Sequence, residues 1–373
     1  MSYTPTNWQT GDVVTAEKLN KVESELVTLD SGVTDLKSEI DAIEKYAGIK
    51  GPAELQALVA AGKAREFFDI GDIITIPWTD YTPSAPVTYQ TPFVVAHIGD
   101  VYDEDGQLHQ DALYLMSMYG VTQDMVFDEK EDTTVNLSSE PNALEGWYYW
   151  GLDGTDQYTA LNLSAGDAIP TTHASVHKCA INNLSVLRYG YNRWSQSAIR
   201  QWLNSEAAKN VNWWTPQHFG DVSPTTTYTN KPGWLYGFTP EWLEIFKPVK
   251  VDTATNTVTD EGVTDTTYDR FFLPSVEQMY GAPQAAGVEG DYWEYWKEET
   301  ELEAPSNGSS TDTNDARKIP PVNNFRANPV SCRLRSALRS HSNYAWNVHT
   351  GGYLNSFSPA SSAYRCQPAC VIF

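Results

Sequence analysis

With 373 residues, 41% hydrophobic and 12% aromatic, the chain is long enough for one large folded unit or two smaller ones, and too rich in Trp and Tyr to be intrinsically disordered. Its formal charge of −23 excludes general nucleic-acid binding, which draws on Lys and Arg to displace counterions from phosphate. No run approaches the roughly 18 apolar residues that cross a bilayer, and Met1-Ser2-Tyr3-Thr4-Pro5 lacks the basic and apolar regions of a secretory signal, so neither membrane insertion nor Sec secretion is expected.

Leu19, Val22, Leu26, Leu29, Val33, Leu36, Ile40 and Ile43 recur at alternating spacings of three and four, a heptad seam between polar residues. A lone helix would leave that stripe bare in water, so residues 19–47 are expected to self-associate as a parallel coiled coil. Leu19 to Ile43 would make a rod of about 37 Å at ~1.5 Å per residue. The mixed branching at both seam positions departs from the β-branched-a, Leu-d pattern of dimers, and a homotrimer is expected.

Residues 48–66 read as a linker in which 52–64 forms a short helix with Leu55, Leu58 and Val59 on one face. Strands are expected at 67–76 and 93–98, and the apolar run 112–118 fits either type. One helix starts near Ser195 and carries Ile199, Trp202 and Leu203 on one face. Another follows Leu273-Pro274, where Ser275 and Gln278 form a capping box before Met279 and Tyr280. The polar stretches 252–267 and 301–315 read as long surface loops. The fold class is α+β.

Chemical motifs are sparse. His173, His177 and Cys179 are the best metal-like group, since an i, i+4 His pair on a helix can share an ion. Thr171, Thr172 and Val176 argue against a helix there, so packing is the expected role. Four Cys are too few for a disulfide scaffold, and Cys366 and Cys370 have no His nearby in sequence. There is no GxSxG, P-loop or dinucleotide fingerprint. No enzyme activity, metal or cofactor is expected.

The last sixth of the chain follows different rules. From 316 to 373 there are seven of the 25 basic residues and no Asp or Glu, which leaves 18 basic and 48 acidic residues, or −30, for the rest. Residues 331–365 lack Lys, Glu, Gln, Asp and Met. Adenine-directed randomisation of Asn codons reaches Ser, Tyr, His, Gly and Arg but never Lys, Glu, Gln, Met or Trp, and fits this bias except that it also permits Asp. Leu334, Leu338, Trp346, Val348 and Leu354 interleave as apolar anchors, as a sheet with one buried and one exposed face requires.

Several motifs here resemble the C-type-lectin-fold variable proteins of diversity-generating retroelements, and among these the phage tail tropism determinants. They are Ser197-Ala198-Ile199-Arg200-Gln201-Trp202-Leu203-Asn204, Leu273-Pro274-Ser275, Arg333-Leu334-Arg335-Ser336, Trp346-Asn347-Val348 with Gly351-Gly352, and Tyr364-Arg365-Cys366-Gln367-Pro368-Ala369. Residues 7–20, Asn7-Trp8-Gln9-Thr10-Gly11-Asp12-Val13-Val14-Thr15-Ala16-Glu17-Lys18-Leu19-Asn20, are similar to the leader of many phage tail and baseplate-tip proteins.

The resemblance implies a C-type-lectin-like domain over 67–373, preceded by the N-terminal coiled coil, with a variable region at about 331–365. It implies a receptor-binding protein in the distal tail of the virion. Residues 1–18 would dock to tail or baseplate proteins, and the lectin-like sheet would bind a host surface receptor, protein or glycan. The candidate ligand-binding positions are Arg333, Ala337, Arg339, His341, Asn343, Tyr344, Asn347, His349, Tyr353, Asn355 and Phe357, each reachable from an Asn codon. Their chemistry is that of antibody paratopes, in which rigid amphipathic rings supply area and small polar groups adapt. Arg335 and Trp346 match scaffold positions of the family. Glu140-Pro141-Asn142 mimics the calcium-dependent sugar motif of classical C-type lectins, but its Trp-Asn-Asp partner is missing, since Trp346-Asn347 is followed by Val348. A bacterial adhesin with the same domain and a purely structural tail protein are the alternatives.

Overall fold

A computed structural model describes residues 51–373 except 119, 121–123, 132, 136–145, 165, 282–284, 286, 298–329 and 351. The leader, the heptad seam, Glu140-Pro141-Asn142 and the 301–315 stretch lie outside the described residues. The chain divides into two units, Met1–Leu55 and Gln56–Phe373; of the first, only residues 51–55 are described.

The described residues are α+β, mostly sheet. In chain order the strands are β1 (Ile73–Asp80), β2 (Val87–Tyr102), β3 (Leu108–Ser117), β4 (Met125–Val126) and β5 (Thr133–Thr134). Next come β6 (Tyr148–Leu152), β7 (Tyr158–Leu161), β8 (Ser175–Cys179), β9 (Val249–Ala254) and β10 (Thr264–Asp269). The last third adds β11 (Cys332–Ala337), β12 (Ala345–Val348), β13 (Leu354–Asn355), β14 (Ala363–Cys366) and β15 (Ala369–Ile372). They form sheets in the orders β1-β2-β3-β15, β13-β12-β11-β14-β4 and β5-β8-β6-β7, with β9-β10 as a hairpin.

The long run Phe93–Ile98 in β2 is buried on both faces, and so is β15, which pairs antiparallel with β3 through Ala369↔Met116 and Val371↔Tyr114. A strand covered on both sides carries a continuous apolar run rather than alternation. Aromatic packing fills the neighbouring core. Trp78 stacks on Trp234 at 4.6 Å and Phe238 on Phe271 at 5.3 Å. The close approach at Trp78 needs a glycine, because a Cβ at Gly237 would lie 2.1 Å from Trp78 Nε1.

Local signals hold where a side chain makes its own backbone bond. Ser197 accepts from Arg200 N and starts the helix Ala198–Leu203, which buries Ile199, Trp202 and Leu203. The capping box of Ser275 and Gln278 is formed at the start of the helix Val276–Tyr280, and Gly281 ends it at φ 63°. The linker helix spans Pro52–Ala60, with Leu55 and Val59 buried.

Two expectations change, at 67–76 and at 252–267, and two other segments are strands. The strand expected at 67–76 begins only at Ile73, because a short helix, Ala64–Phe67, precedes it. A turn then bonds Asp69 N to Asp72 Oδ2 with Gly71 at φ 95°. The ambiguous 112–118 run is the end of β3. The polar stretch 252–267 is largely the β9-β10 hairpin, its Thr-rich ladder running from Asp269↔Val249 to Thr264↔Ala254. His177 and Cys179 lie on β8, in keeping with the residues that argued against a helix, and the His177 ring bonds Ser175 Oγ at 3.0 Å.

No helix among the described residues is long and apolar enough to cross a membrane.

Candidate functional site

The C-terminal strands are not a half-exposed platform. Every residue of β11 and of β12 is buried, so the expected alternation of an inner and an outer face is absent there. These two strands are instead covered on both sides, and solvent reaches the loops at their ends and the half-buried Ala363, Tyr364 and Arg365 of β14.

Two arginines occupy β11. Arg333 is 0% exposed, and among its hydrogen-bond partners there is no carboxylate. Its Nη1 donates to Ala345 O at 2.8 Å and Ser358 O at 3.1 Å, and its Nη2 to Pro359 O and Ser362 O, both at 2.9 Å. The guanidinium carbon lies 4.5 Å from the centre of the Tyr364 ring. Burial lowers the pKa of Arg333, and Tyr364 opposes it. The planar fork thus fastens the segment 358–362 and the start of β12 to β11.

Arg335 faces another set of groups. It donates to Leu273 O at 2.8 Å, Gln278 Oε1 at 2.6 Å and Glu289 O. Burial pushes it down to about 10, the Glu289 carboxylate opposing. Glu289 is itself buried and accepts from Ser336 Oγ at 2.5 Å and Ala254 N at 3.2 Å.

A loop over 338–344 leaves β11 and returns into β12. Leu338 N donates to Tyr344 O at 2.8 Å, and His341 N to Leu338 O at 3.0 Å. Its underside is held by Asn192, which is fully buried and donates through Nδ2 to His341 O at 2.7 Å and Tyr344 O at 2.8 Å. Asn192 N donates to Ser342 O at 3.0 Å, and Ser342 Oγ to Asn183 Oδ1 at 2.9 Å. The β9-β10 hairpin tip braces the loop from the side. Thr257 N and Oγ1 donate to Arg339 O at 2.7 and 2.9 Å, and Asn256 Nδ2 donates to Asn192 Oδ1 at 3.1 Å. The second loop, 356–362, runs alongside, with Ala360 N on Asn343 O at 2.8 Å and Ala345 N on Ser358 O at 3.2 Å.

On this braced backbone sits an aromatic group. Phe357 is 69% exposed, His341 and Tyr344 are half-buried, and the ring centres lie 5.1 Å (His341–Tyr344), 5.8 Å (Tyr344–Phe357) and 6.4 Å (His341–Phe357) apart. Asn355 Oδ1 accepts from Phe357 N at 3.2 Å. A second pair, His349 stacked on Tyr353 at 4.5 Å, lies beyond the other end of β12. The strand's ends are about 10 Å apart at ~3.3 Å per residue. The expected single array is therefore two patches, one at each end of β12.

Four candidate display positions are corrected. Arg333, Ala337, Asn343 and Asn347 are buried, so they cannot meet a ligand without rearrangement of the sheet. Arg333 is spent on carbonyls. Ala337 pairs with Ala345 in the ladder. Asn343 lies under Ala360. Asn347, 1% exposed, sits between Arg333 and Asn355 in one cross-strand row, and its amide has no hydrogen-bond partner among the described residues. Arg339, His341, Tyr344, His349, Tyr353 and Asn355 remain half-buried and Phe357 exposed. Sequence reasoning missed Asn192 and Asn256, because an Asn 146 residues from the loop it supports carries no local signal.

His173, His177 and Cys179 form no metal site, and among the described residues no group of three or more His, Cys, Asp or Glu is arranged to hold a metal ion. All four cysteines are free and buried, and burial raises their thiols.

The architecture defines an α+β chain whose C-terminal part carries an aromatic patch on braced loops. Residues 175–373, a little over half of the chain, match the family described as a domain of unknown function, DUF6273, and the chain belongs to that family. No curated protein and no solved structure matches it.

Proposed function

We propose that this chain is a receptor-binding protein of a phage tail tip, in which a C-type-lectin-like unit presents His341, Tyr344 and Phe357 to a ligand on the host surface. The observation that carries the reading is a ring group, Phe357 exposed and His341 and Tyr344 half-buried, on two loops whose backbones are fixed from below by buried donors, Asn192 and Arg333. Exposed aromatics on a rigid frame bind with little loss of side-chain entropy. Residues carrying the resemblance also touch one another, since Arg335 Nη1 donates to Leu273 O at 2.8 Å and Arg335 N to Pro274 O at 3.2 Å. That contact supports reading them as one framework. The leader and the trimeric rod over 19–47 belong to the same proposal. Three copies would convert a weak single site into binding stronger by ~10²–10⁴ through effective concentration.

The test applies the labelled full chain to a panel of bacterial cells. Truncating all three rings, His341→Ala with Tyr344→Ala and Phe357→Ala, is expected to weaken cell binding at least tenfold, at about 1–2 kcal/mol for a central aromatic, with the unfolding midpoint nearly unchanged. Undiminished binding by the triple variant would overturn the reading.

A further inference from the structure

Three carboxylates with buried side chains and a largely buried imidazole gather next to the two loops. Asp128 and Glu131 follow β4, and His218 and Asp221 belong to the turn 217–221. Asp128 and Glu131 are buried, and the side chain of Asp221 is 1% exposed. His218 Nε2 lies 2.6 Å from Glu131 Oε1, and Glu131 Oε2 accepts from Ala180 N at 2.8 Å. Asp221 Oδ2 accepts from Gln217 N at 2.8 Å and stands 4.0 Å from His218 Nδ1. Asp128 Oδ2 accepts from Tyr191 N at 3.2 Å. Asp128 Oδ1, Asp221 Oδ1 and His218 Nδ1 have no hydrogen-bond partner among the described residues.

The described interactions of the other groups facing the cluster do not neutralise it. Glu129 adds negative charge, the Cys179 thiol faces Glu131, and Tyr191 turns its hydroxyl to Asp260. Arg193 is committed to Asp265, through Nε at 2.6 Å and Nη2 at 2.7 Å. With every acid ionised and His218 charged, these four groups carry two net negative charges in a buried site, which is costly. Protons on these groups would supply the missing counter-charge.

The cluster is wired to both loops. Phe127 N and Asp128 N donate to Ala360 O at 2.9 and 3.1 Å, and Ala360 N donates to Asn343 O at 2.8 Å. Tyr191, bonded to Asp128, precedes Asn192, which carries the 338–344 loop.

We propose that the Asp128–Glu131–His218–Asp221 cluster is a proton-binding site that sets the order of the two display loops, holding them when protonated and loosening them when its carboxylates repel one another. Its meaning for ligand binding rests on the reading above: binding is strongest at acid pH. The direction is the same for Asp128, Asp221 and His218. Burial raises Asp128 well above its ordinary value, with Asp221 and Glu131 adding to it, and burial raises Asp221. For His218 burial acts downward, but the Glu131 hydrogen bond and the charges of Asp221 and Glu131 outweigh it, and the net shift is upward. Groups that hold protons more tightly when folded stabilise the fold at low pH, and that stability is lost as pH rises through their folded values.

Hydrogen exchange on the full chain tests this without any ligand. After correction for intrinsic rates, protection of amides in 338–345 and 357–361 is expected to fall about tenfold or more between about pH 5 and about pH 8. It should stay level in Asp128→Asn, and in Asp221→Asn as an independent variant. Equal wild-type protection at both pH values would overturn the proposal. So would an unchanged pH response in both variants, or full recovery of protection at the higher pH on adding calcium. Because no receptor enters the measurement, a pH response in a chain that binds no cells would remove the receptor reading and leave the proton site standing.

Discussion

Replacing Arg333 by alanine is expected to destabilise the chain by about 3–5 kcal/mol, measured as a shift in the urea midpoint at constant slope. Truncation removes four hydrogen bonds, leaves the carbonyls of Ala345, Ser358, Pro359 and Ser362 without their donor, and opens a void beside Tyr364. Arg333→Lys should recover only part of the loss, because an ammonium offers three donors from one point where four acceptors surround a planar fork. A loss below about 1 kcal/mol for the alanine variant would show that the guanidinium does not fasten these segments.

Arg335→Leu is expected to cost a similar amount, about 3–5 kcal/mol, for a different reason. The substitution leaves Glu289 buried without its counter-charge, among Ser336, Ala254 and the Glu277 carboxylate. Burial already raises Glu289, with Arg335 holding it down. Without Arg335 the carboxyl rises further and is protonated in the folded state. Stability of the variant should therefore fall as pH rises through that value, more steeply than in the wild type. Adding Glu289→Gln should recover part of the loss and flatten the pH dependence. A double variant as unstable as the sum of the two single ones would rule out the pairing.

What was legible in the sequence was local. Ser197, and Ser275 with Gln278, cap the helices their spacing promised, and Phe93–Ile98 is a buried strand, because each signal is complete within a few residues. The hairpin at 249–269 was illegible because its Thr and Asp residues pair through the backbone, and polarity alone resembles a loop. The C-terminal surface was half legible. His341, Tyr344 and Phe357 do gather, but Arg333, Ala337, Asn343 and Asn347 share their codon logic and composition while lying inside. Composition reports which residue types occur and is silent on what covers them, and the cover comes from distant elements such as Asn192 and the 256–262 hairpin tip.

The most direct test of the account is a substitution library at seven positions of the full chain, scored for protease resistance and for cell binding in parallel. The account predicts that His341, Tyr344 and Phe357 accept most residues with folding retained and binding changed, whereas Arg333, Ala337, Asn343 and Asn347 lose resistance when replaced. Folding that collapses at the three rings, or binding that is indifferent to them while the four inner positions vary freely, would contradict it.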